Sequence, residues 1–413
     1  MTRRKVHILT RERFGDLLLG PQIRLEKLAE EFEARGCEPT IYGHLDESRP
    51  GTHRFVKSLQ PGFTRQIAPS DVVVASELLQ SKPSHELLQA NLRFHWDCYG
   101  LSLPETLAFL GKWTYLRSLA DRRRKLIRYR IMASRSESIW VSNLQQGAFL
   151  AALLATSVSS YDASTANDLP SKTILAPMGL KSEAAATGLP NPYPSTIQNR
   201  PIFLWGGGIW PWFDIETVLH AMSHVKDDPS SPCLFFISGR NEATSDYDAP
   251  LQKAIALSQQ LGLLDKQVFF NDRRVGSSEL ASWLEHSTAG IMGSPSSLES
   301  QLSWRTRYLD LLWSGRPLVC SGQDPLALLM AEQGAALVTE AGNSDALASS
   351  ILKYASKTKN WQAACSASAR LGEQLTWTKT LGPAVDRALS TPGSKSQHPR
   401  LLALTKARYL LGI

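Results

Sequence analysis

Two segments of the chain carry residue types at spacings that a small anionic ligand would use. The first runs Phe203-Leu-Trp-Gly-Gly-Gly-Ile-Trp-Pro-Trp-Phe-Asp214: a short apolar run, three glycines, and an aspartate well suited to cap a following helix. Gly206, Gly207 and Gly208 allow a backbone to approach a phosphate closely, and a helix N-terminus offers N–H groups to it. A dinucleotide fingerprint would require a third glycine at position 211, where Pro211 stands, so G-x-G-x-x-G fails. A plain tight turn is the competing reading. Trp210 and Trp212 fit either stacking on a sugar or base, or core packing.

The second segment spans Ser296 to Pro317, with Arg305, Arg307 and Asp310 at its centre. A helix is expected to begin near Ser303, which puts both arginines in its first turn. Cations there oppose the helix dipole, a physical reason to expect an anion nearby. The two do not share a helical face, so at most one points at it; surface arginines are the alternative. Asp310, inside the helix, is placed to accept two ribose hydroxyl bonds. Ser314-Gly-Arg-Pro317 then stops the helix before the next strand.

Other chemistry-bearing residues are weaker. Asp246-Tyr-Asp248 has the D-x-D spacing of a metal site, but it precedes Pro250 and a helix, where Asp248 reads as an N-cap. His220 and His224 share one side of a helix without a third ligand, so no metal is expected. His95 and Asp97 share one strand face, open to structural hydrogen bonding or substrate contact. Residues 112–130 include Arg122-Arg-Arg-Lys125 among Trp113, Tyr115, Leu116, Leu119, Leu126 and Ile127. They read as a basic amphipathic helix able to lie on anionic lipid. A nucleic-acid role is not expected, since no aromatic residues are arranged on a strand platform.

The elements that must hold these residues alternate strand and helix in both halves, which argues for parallel α/β sheets. Strands are expected at 5–10, 39–42, 71–75, 92–96, 138–142 and 173–176, with a helix over 23–35 ended by Gly36 and an exposed loop over 155–171. In the second half they are expected at 201–205, 233–238, 267–271, 289–292 and 317–321, with helices over 214–224, 249–261, 277–286 and 305–313. Pro190-Asn-Pro-Tyr-Pro194 is the candidate hinge. The expected organisation is two Rossmann-like domains, 1–188 and 201–390, joined by a linker over 189–200, with a ligand cleft between them, and a polar tail with a short terminal helix over 391–413.

The length of 413 residues suits two such domains, and 43% hydrophobic with 20% charged residues is ordinary for a globular chain. The longest apolar run, Gly147 to Thr156, falls far short of the roughly 20 residues that span a bilayer. No signal-peptide core follows Met1, and five scattered cysteines without a C-x-x-C pair fit a reducing cytoplasm. The net charge of +7 is uneven: the first 135 residues hold 23 Lys and Arg against 15 Asp and Glu. That half is expected to meet something anionic, or simply to present a solvated basic face.

The strand–Gly–Gly–Gly–helix, the Ser-Trp-Arg-Thr-Arg…Leu-Asp-Leu-Leu-Trp-Ser-Gly-Arg-Pro run and Gly334-Ala-Ala-Leu-Val resemble the donor-binding domain of a GT-B glycosyltransferase, with family 4, a retaining group, as nearest kin. The resemblance covers most of 201–345. It is weaker over 1–185, where Leu19-Gly-Pro-Gln-Ile-Arg24 resembles the loop and helix start after the first strand, and Trp96-Asp-Cys-Tyr99 an active-site strand end. It implies sugar transfer from a nucleotide-sugar donor, without cofactor or metal, to a glycan, lipid-linked or small-molecule acceptor. Donor contacts are expected from Gly206, Gly207, Gly208, Arg240, Glu299, Ser303, Arg305, Thr306, Arg307 and Asp310. Arg240 and Arg305 would neutralise the leaving diphosphate, Asp310 would hold the ribose, and Gly20 and Asp97 would serve the acceptor side. The family's basic pair on the first donor-domain loop is replaced by Gly208 and Phe213, and Glu299 lies about three residues out of register with its earlier glutamate. A catalytically silent binding protein and a nucleotide-sugar epimerase are therefore the alternatives. The expected location is cytoplasmic, peripheral on the inner membrane face if the basic helix touches lipid.

Overall fold

The computed structural model describes residues 3–15, 19–45, 54–58, 60, 62–76, 92–107, 115–156, 160–238, 248–273, 275–276 and 279–391. Two compact units divide the chain. Met1–Thr106, Leu110–Gly179 and Trp377–Ile413 form the first; Leu107–Phe109 and Leu180–Thr376 form the second.

The first unit is built on a seven-stranded sheet: β1 (Lys5–Phe14), β2 (Glu38–Leu45), β3 (Val56–Ser58), β4 (Val72–Ala75), β5 (Phe94–Cys98), β6 (Ser136–Val141) and β7 (Thr173–Leu175), in the order β3-β2-β1-β4-β5-β6-β7. Its pairings are parallel; Ile8, for example, lies between Ile41 of β2 and Val74 of β4. Val72-Val-Val-Ala75 is buried throughout, as expected of a central parallel strand covered on both faces. Helix Gly20–Ala34 returns from β1 toward β2, and Gly36, at φ +80°, turns the chain out of it.

The second unit repeats the plan with β8 (Ile202–Trp205), β9 (Cys233–Phe236), β10 (Val268–Phe270), β11 (Ala289–Gly293), β12 (Leu318–Ser321) and β13 (Ala336–Thr339), in the order β10-β9-β8-β11-β12-β13. Counted from β8, this is the 3-2-1-4-5-6 order of a doubly wound sheet. The core is aromatic: Trp205, Phe236 and Phe270 form a ladder with centroids 5.5 and 4.6 Å apart.

Four expectations change. Where an exposed loop is expected over 155–171, Ser160–Lys172 is helical and buries Leu169. The proline-rich stretch is built into the second unit rather than hanging as a linker. Tyr193 packs edge-on against Phe235 and Trp283 and donates to Trp283 O, while Gly188 and Leu189 donate to Glu285. Prolines prevented ladder formation there but not packing. Residues 377–390, expected within the second domain, form the helix Trp377–Ser390 of the first unit, where Asp386 pairs with Arg35 at 2.6 Å. The helix expected from Ser303 begins only at Arg307, because Ser303 is extended and ends a separate short helix, Leu298–Leu302. The polar tail expected beyond residue 391 lies outside the described residues.

Candidate functional site

In a doubly wound sheet the loops leaving the first and fourth strands turn to opposite faces, and a crevice opens beyond the carboxyl ends between them. In the second unit those strands are β8 and β11. A cavity of about 500 Å³ lies at this place, within the range that holds a small-molecule ligand. Its walls are Gly206 to Trp210 after β8, Ile237 and Ser238 after β9, Val275 after β10, Met292 of β11, and Thr306, Arg307 and Asp310 from the segment following β11.

The three glycines give one wall a bare backbone. Gly207, at φ +79°, occupies the left-handed region that glycine enters without strain. A Cβ there would meet Arg307 Nη2 at 3.5 Å, and Arg307 donates to Gly208 O at 3.0 Å. Arg307 thus reaches back from the helix Arg307–Trp313 onto the glycine loop. Among the described residues it has no carboxylate within salt-bridge distance. Burial, and secondly the charge of Arg305, push its pKa down, yet it remains cationic at neutral pH. A charge so placed is under-compensated, and an anion would relieve it.

Arg305 has a different situation. It is buried and held by Glu299 in a two-pronged pair, Nη1–Oε1 at 2.8 Å and Nη2–Oε2 at 2.7 Å. Burial opposes its charge, but Glu299 outweighs that and leaves its pKa raised. Ser303 donates to Glu299 Oε1 at 2.7 Å. Glu299, Ser303 and Arg305 therefore form a closed cluster that does not line the cavity, contrary to the donor role expected of them; only Thr306, Arg307 and Asp310 of that segment do. Phe213 joins the two sets. Its ring lies 4.9 Å from Arg305 Cζ and 4.4 Å from Arg307 Cζ, so both guanidinium groups pack on one aromatic. Of these two arginines, Arg307 lines the cavity and Arg305 does not.

Asp310 accepts no side-chain hydrogen bond among the described residues. Burial raises its pKa to about 6, against the opposing pull of Lys181 and Arg307. At the start of the helix that follows the glycine loop, Asp214 caps and takes one N–H group, accepting from Thr217 N at 3.0 Å. Arg240, Asp246 and Tyr247 lie outside the described residues. His220 and His224 are both exposed, and His224 lies 3.5 Å from Asp345.

The first unit corrects the acceptor-side expectation for Asp97. Both carboxylate oxygens accept from Arg24, at 2.7–3.1 Å, and neither side chain has any solvent exposure. Arg24 also donates to Ala176 O and Pro177 O and stacks under Tyr99. A carboxylate so enclosed holds strand ends together and does not reach an acceptor. His95 is likewise internal, bonded to Ser138 Oγ at 2.8 Å, with burial lowering its pKa to about 4. Gly20, half-buried, opens helix Gly20–Ala34 just after exposed Leu19. The basic segment is helical over Tyr115–Arg135: Arg123 and Arg124 are exposed, whereas Tyr129, Met132 and Ala133 are buried. No helix among the described residues is long and apolar enough to cross a membrane.

The sequence matches no family profile and no curated protein. Solved structures are more informative. WaaG, a glycosyltransferase involved in lipopolysaccharide biosynthesis, matches with a TM-score of 0.62 at 12% identity, covering 94% of this chain and 100% of that one. The chain has the GT-B fold. A UDP-forming α,α-trehalose-phosphate synthase from Burkholderia xenovorans gives a TM-score of 0.66 at 13% identity, over 94% of this chain and 100% of its own. Anabaena HepE, solved in complex with UDP-glucose, gives 0.61 at 14%, over 94% and 99%. At such identities the likeness to these GT-B proteins is one of fold.

Several residues of the site were missed in the sequence. Ile237, Ser238, Val275 and Met292 belong to three separate strand ends, and no local motif links them. The available signal was positional, since residues at carboxyl ends of neighbouring parallel strands share one rim. The Ser238 hydroxyl is buried without a hydrogen-bond partner, a polar group left for a ligand or water.

Proposed function

We propose that the chain is a retaining, metal-independent glycosyltransferase of the family 4 type, moving a sugar from a nucleotide-sugar donor to a glycan, lipid-linked or small-molecule acceptor. The observation that carries this reading is the cavity beyond β8 and β11. There a guanidinium without a carboxylate at salt-bridge distance, a bare glycine backbone and a carboxylate without a side-chain hydrogen bond, each among the described residues, converge. Arg307 and the Gly206–Gly208 loop take the diphosphate, and Asp310 takes the ribose hydroxyls. In the reaction the bond from the sugar's anomeric carbon to the diphosphate breaks, with the electron pair leaving on the phosphate oxygen. The acceptor hydroxyl oxygen forms the new bond to the anomeric carbon, and its proton passes to the departing phosphate oxygen. Charge grows on the departing diphosphate, and a fixed cation beside it stabilises that change. Arg307 fills this role in place of Arg305, whose charge Glu299 already meets.

The test is release of nucleoside diphosphate from a panel of nucleotide sugars offered with extracts containing glycan and lipid acceptors. Absence of binding and turnover with every donor refutes the proposal. A silent binding protein is the second reading, favoured by the aromatic at Phe213 and the closed Arg305–Glu299 pair, which leave Arg307 as the described cation on the cavity wall. Tight donor binding without turnover in the same panel would select it. The exposed Arg123 and Arg124 on helix Tyr115–Arg135 support peripheral contact with anionic lipid at a cytoplasmic face. Co-sedimentation with phosphatidylglycerol vesicles, reduced in Arg123→Glu/Arg124→Glu, is the expected result.

A further inference from the structure

We infer that Trp210 selects the donor's sugar: its indole face stacks on the C–H face of a pyranose attached to the diphosphate. This rests on the donor reading above, and three placements carry it. First, charge and aromatic surface are neighbours on one loop. A Cβ at Gly207 would lie 3.5 Å from Arg307 Nη2, and one at Gly208 would lie 3.5 Å from Trp210 Cε2 and Cζ2. Adjacent Cα atoms are about 3.8 Å apart, so Arg307 and Trp210 approach the same short stretch of backbone. Both Trp210 and Arg307 line the cavity.

Second, two other residues of the same cavity differ in chemistry. Ionised Asp310 accepts hydrogen bonds and donates none, which suits a diol. Trp210 presents an aromatic face, electron-rich and without a hydrogen-bonding group there. A nucleoside diphosphate sugar also has two unlike flanks, a ribose diol and a hexose. A pyranose carries hydroxyls at its rim and C–H bonds, positive outward, on its faces, so the aromatic wall suits the hexose and the carboxylate the ribose.

Third, the ring is held in place before any ligand arrives. Trp210 stacks on Trp212 with centroids 5.6 Å apart and planes within 14° of parallel. Pro211 between them restricts the backbone. A large face fixed in advance loses little conformational entropy on binding.

The experiment is calorimetric titration of the wild type, Trp210→Ala and Trp210→Phe with UDP and UDP-glucose, ADP and ADP-glucose, and GDP and GDP-mannose. For the pair the wild type binds best, Trp210→Ala should lose about tenfold affinity for the nucleotide sugar and less than about twofold for the bare nucleotide. Trp210→Phe should recover most of the loss. Using the ratio of the two affinities on one preparation cancels any fraction of misfolded protein. Equal losses for both ligands would mean that the ring serves the base, the ribose or the loop itself, and would overturn the inference while leaving the donor reading intact. No loss for either would overturn it too. A wild type that binds none of the six ligands would refute the donor reading, and this inference with it.

Discussion

Affinity for a nucleotide sugar should fall as pH drops from 7 to 5, and Asp310→Asn should abolish that dependence. Asp310 lines the cavity without a side-chain hydrogen bond among the described residues, and burial lifts its pKa to about 6 despite Lys181 and Arg307. Ribose hydroxyls donate. An ionised carboxylate accepts from two of them, whereas the protonated form must itself donate through one oxygen. With a pKa of about 6, Asp310 is about nine-tenths ionised at pH 7, half at pH 6 and about one-tenth at pH 5. If the ionised form alone holds the diol, affinity falls about tenfold from pH 7 to 5, or about 1.4 kcal/mol. UDP-glucose is the appropriate probe. Its diphosphate is esterified at both ends and keeps its charge over this interval, whereas a terminal phosphate titrates near pH 6 and would confuse the reading. Calorimetry at several pH values reads the effect directly. The same shift has a second consequence, of fixed sign. A carboxyl whose folded pKa lies above its unfolded value of about 3.9 is harder to ionise in the fold, so its penalty is full above pH 6 and fades as pH falls toward 4. Asp310→Asn should therefore stabilise the unliganded chain at pH 7 and have no such effect near pH 4. A flat affinity profile in the wild type, or an unchanged slope in Asp310→Asn, would refute the assignment of Asp310 to the ribose.

Three further outcomes are expected. Asp97→Asn leaves the Arg24 charge enclosed without its counter-ion and should lower stability by about 3–5 kcal/mol in urea unfolding, as breaking a buried pair does. Glu299→Gln should be destabilising by a similar margin for the same reason at Arg305, visible as a lower thermal midpoint. Arg307→Met keeps an unbranched stem and removes the guanidinium; it should weaken nucleotide-sugar binding at least tenfold by calorimetry and reduce its salt dependence, while leaving the circular dichroism spectrum unchanged.

Much of the frame was legible from residues alone. Ile202–Trp205, Cys233–Phe236 and Leu318–Ser321 are short apolar runs between turn residues, and a buried parallel strand has little freedom to be anything else. Gly206 to Gly208 marked the loop, and at Gly207, at φ +79°, only glycine makes the backbone easy to adopt. Helix Ser160–Lys172 was hidden by its composition, since Ser, Ala and Asp speak for exposure, and burial of Leu169 anchors it from outside the local sequence.

The chemical types at the site were set by the sequence, but their division of labour was not. Arg305 and Arg307, two residues apart, carry the same guanidinium, and Asp97 and Asp310 the same carboxyl. Folding brings Glu299 onto Arg305 and Arg24 onto Asp97, closing each as an internal pair. It leaves Arg307 against Gly208 and Asp310 without a donor, both on the cavity wall. Whether a charge is spent internally or left for a ligand depends on which opposite charge lies within about 3 Å of it. That distance is set by how strands and helices pack, not by any local pattern along the chain.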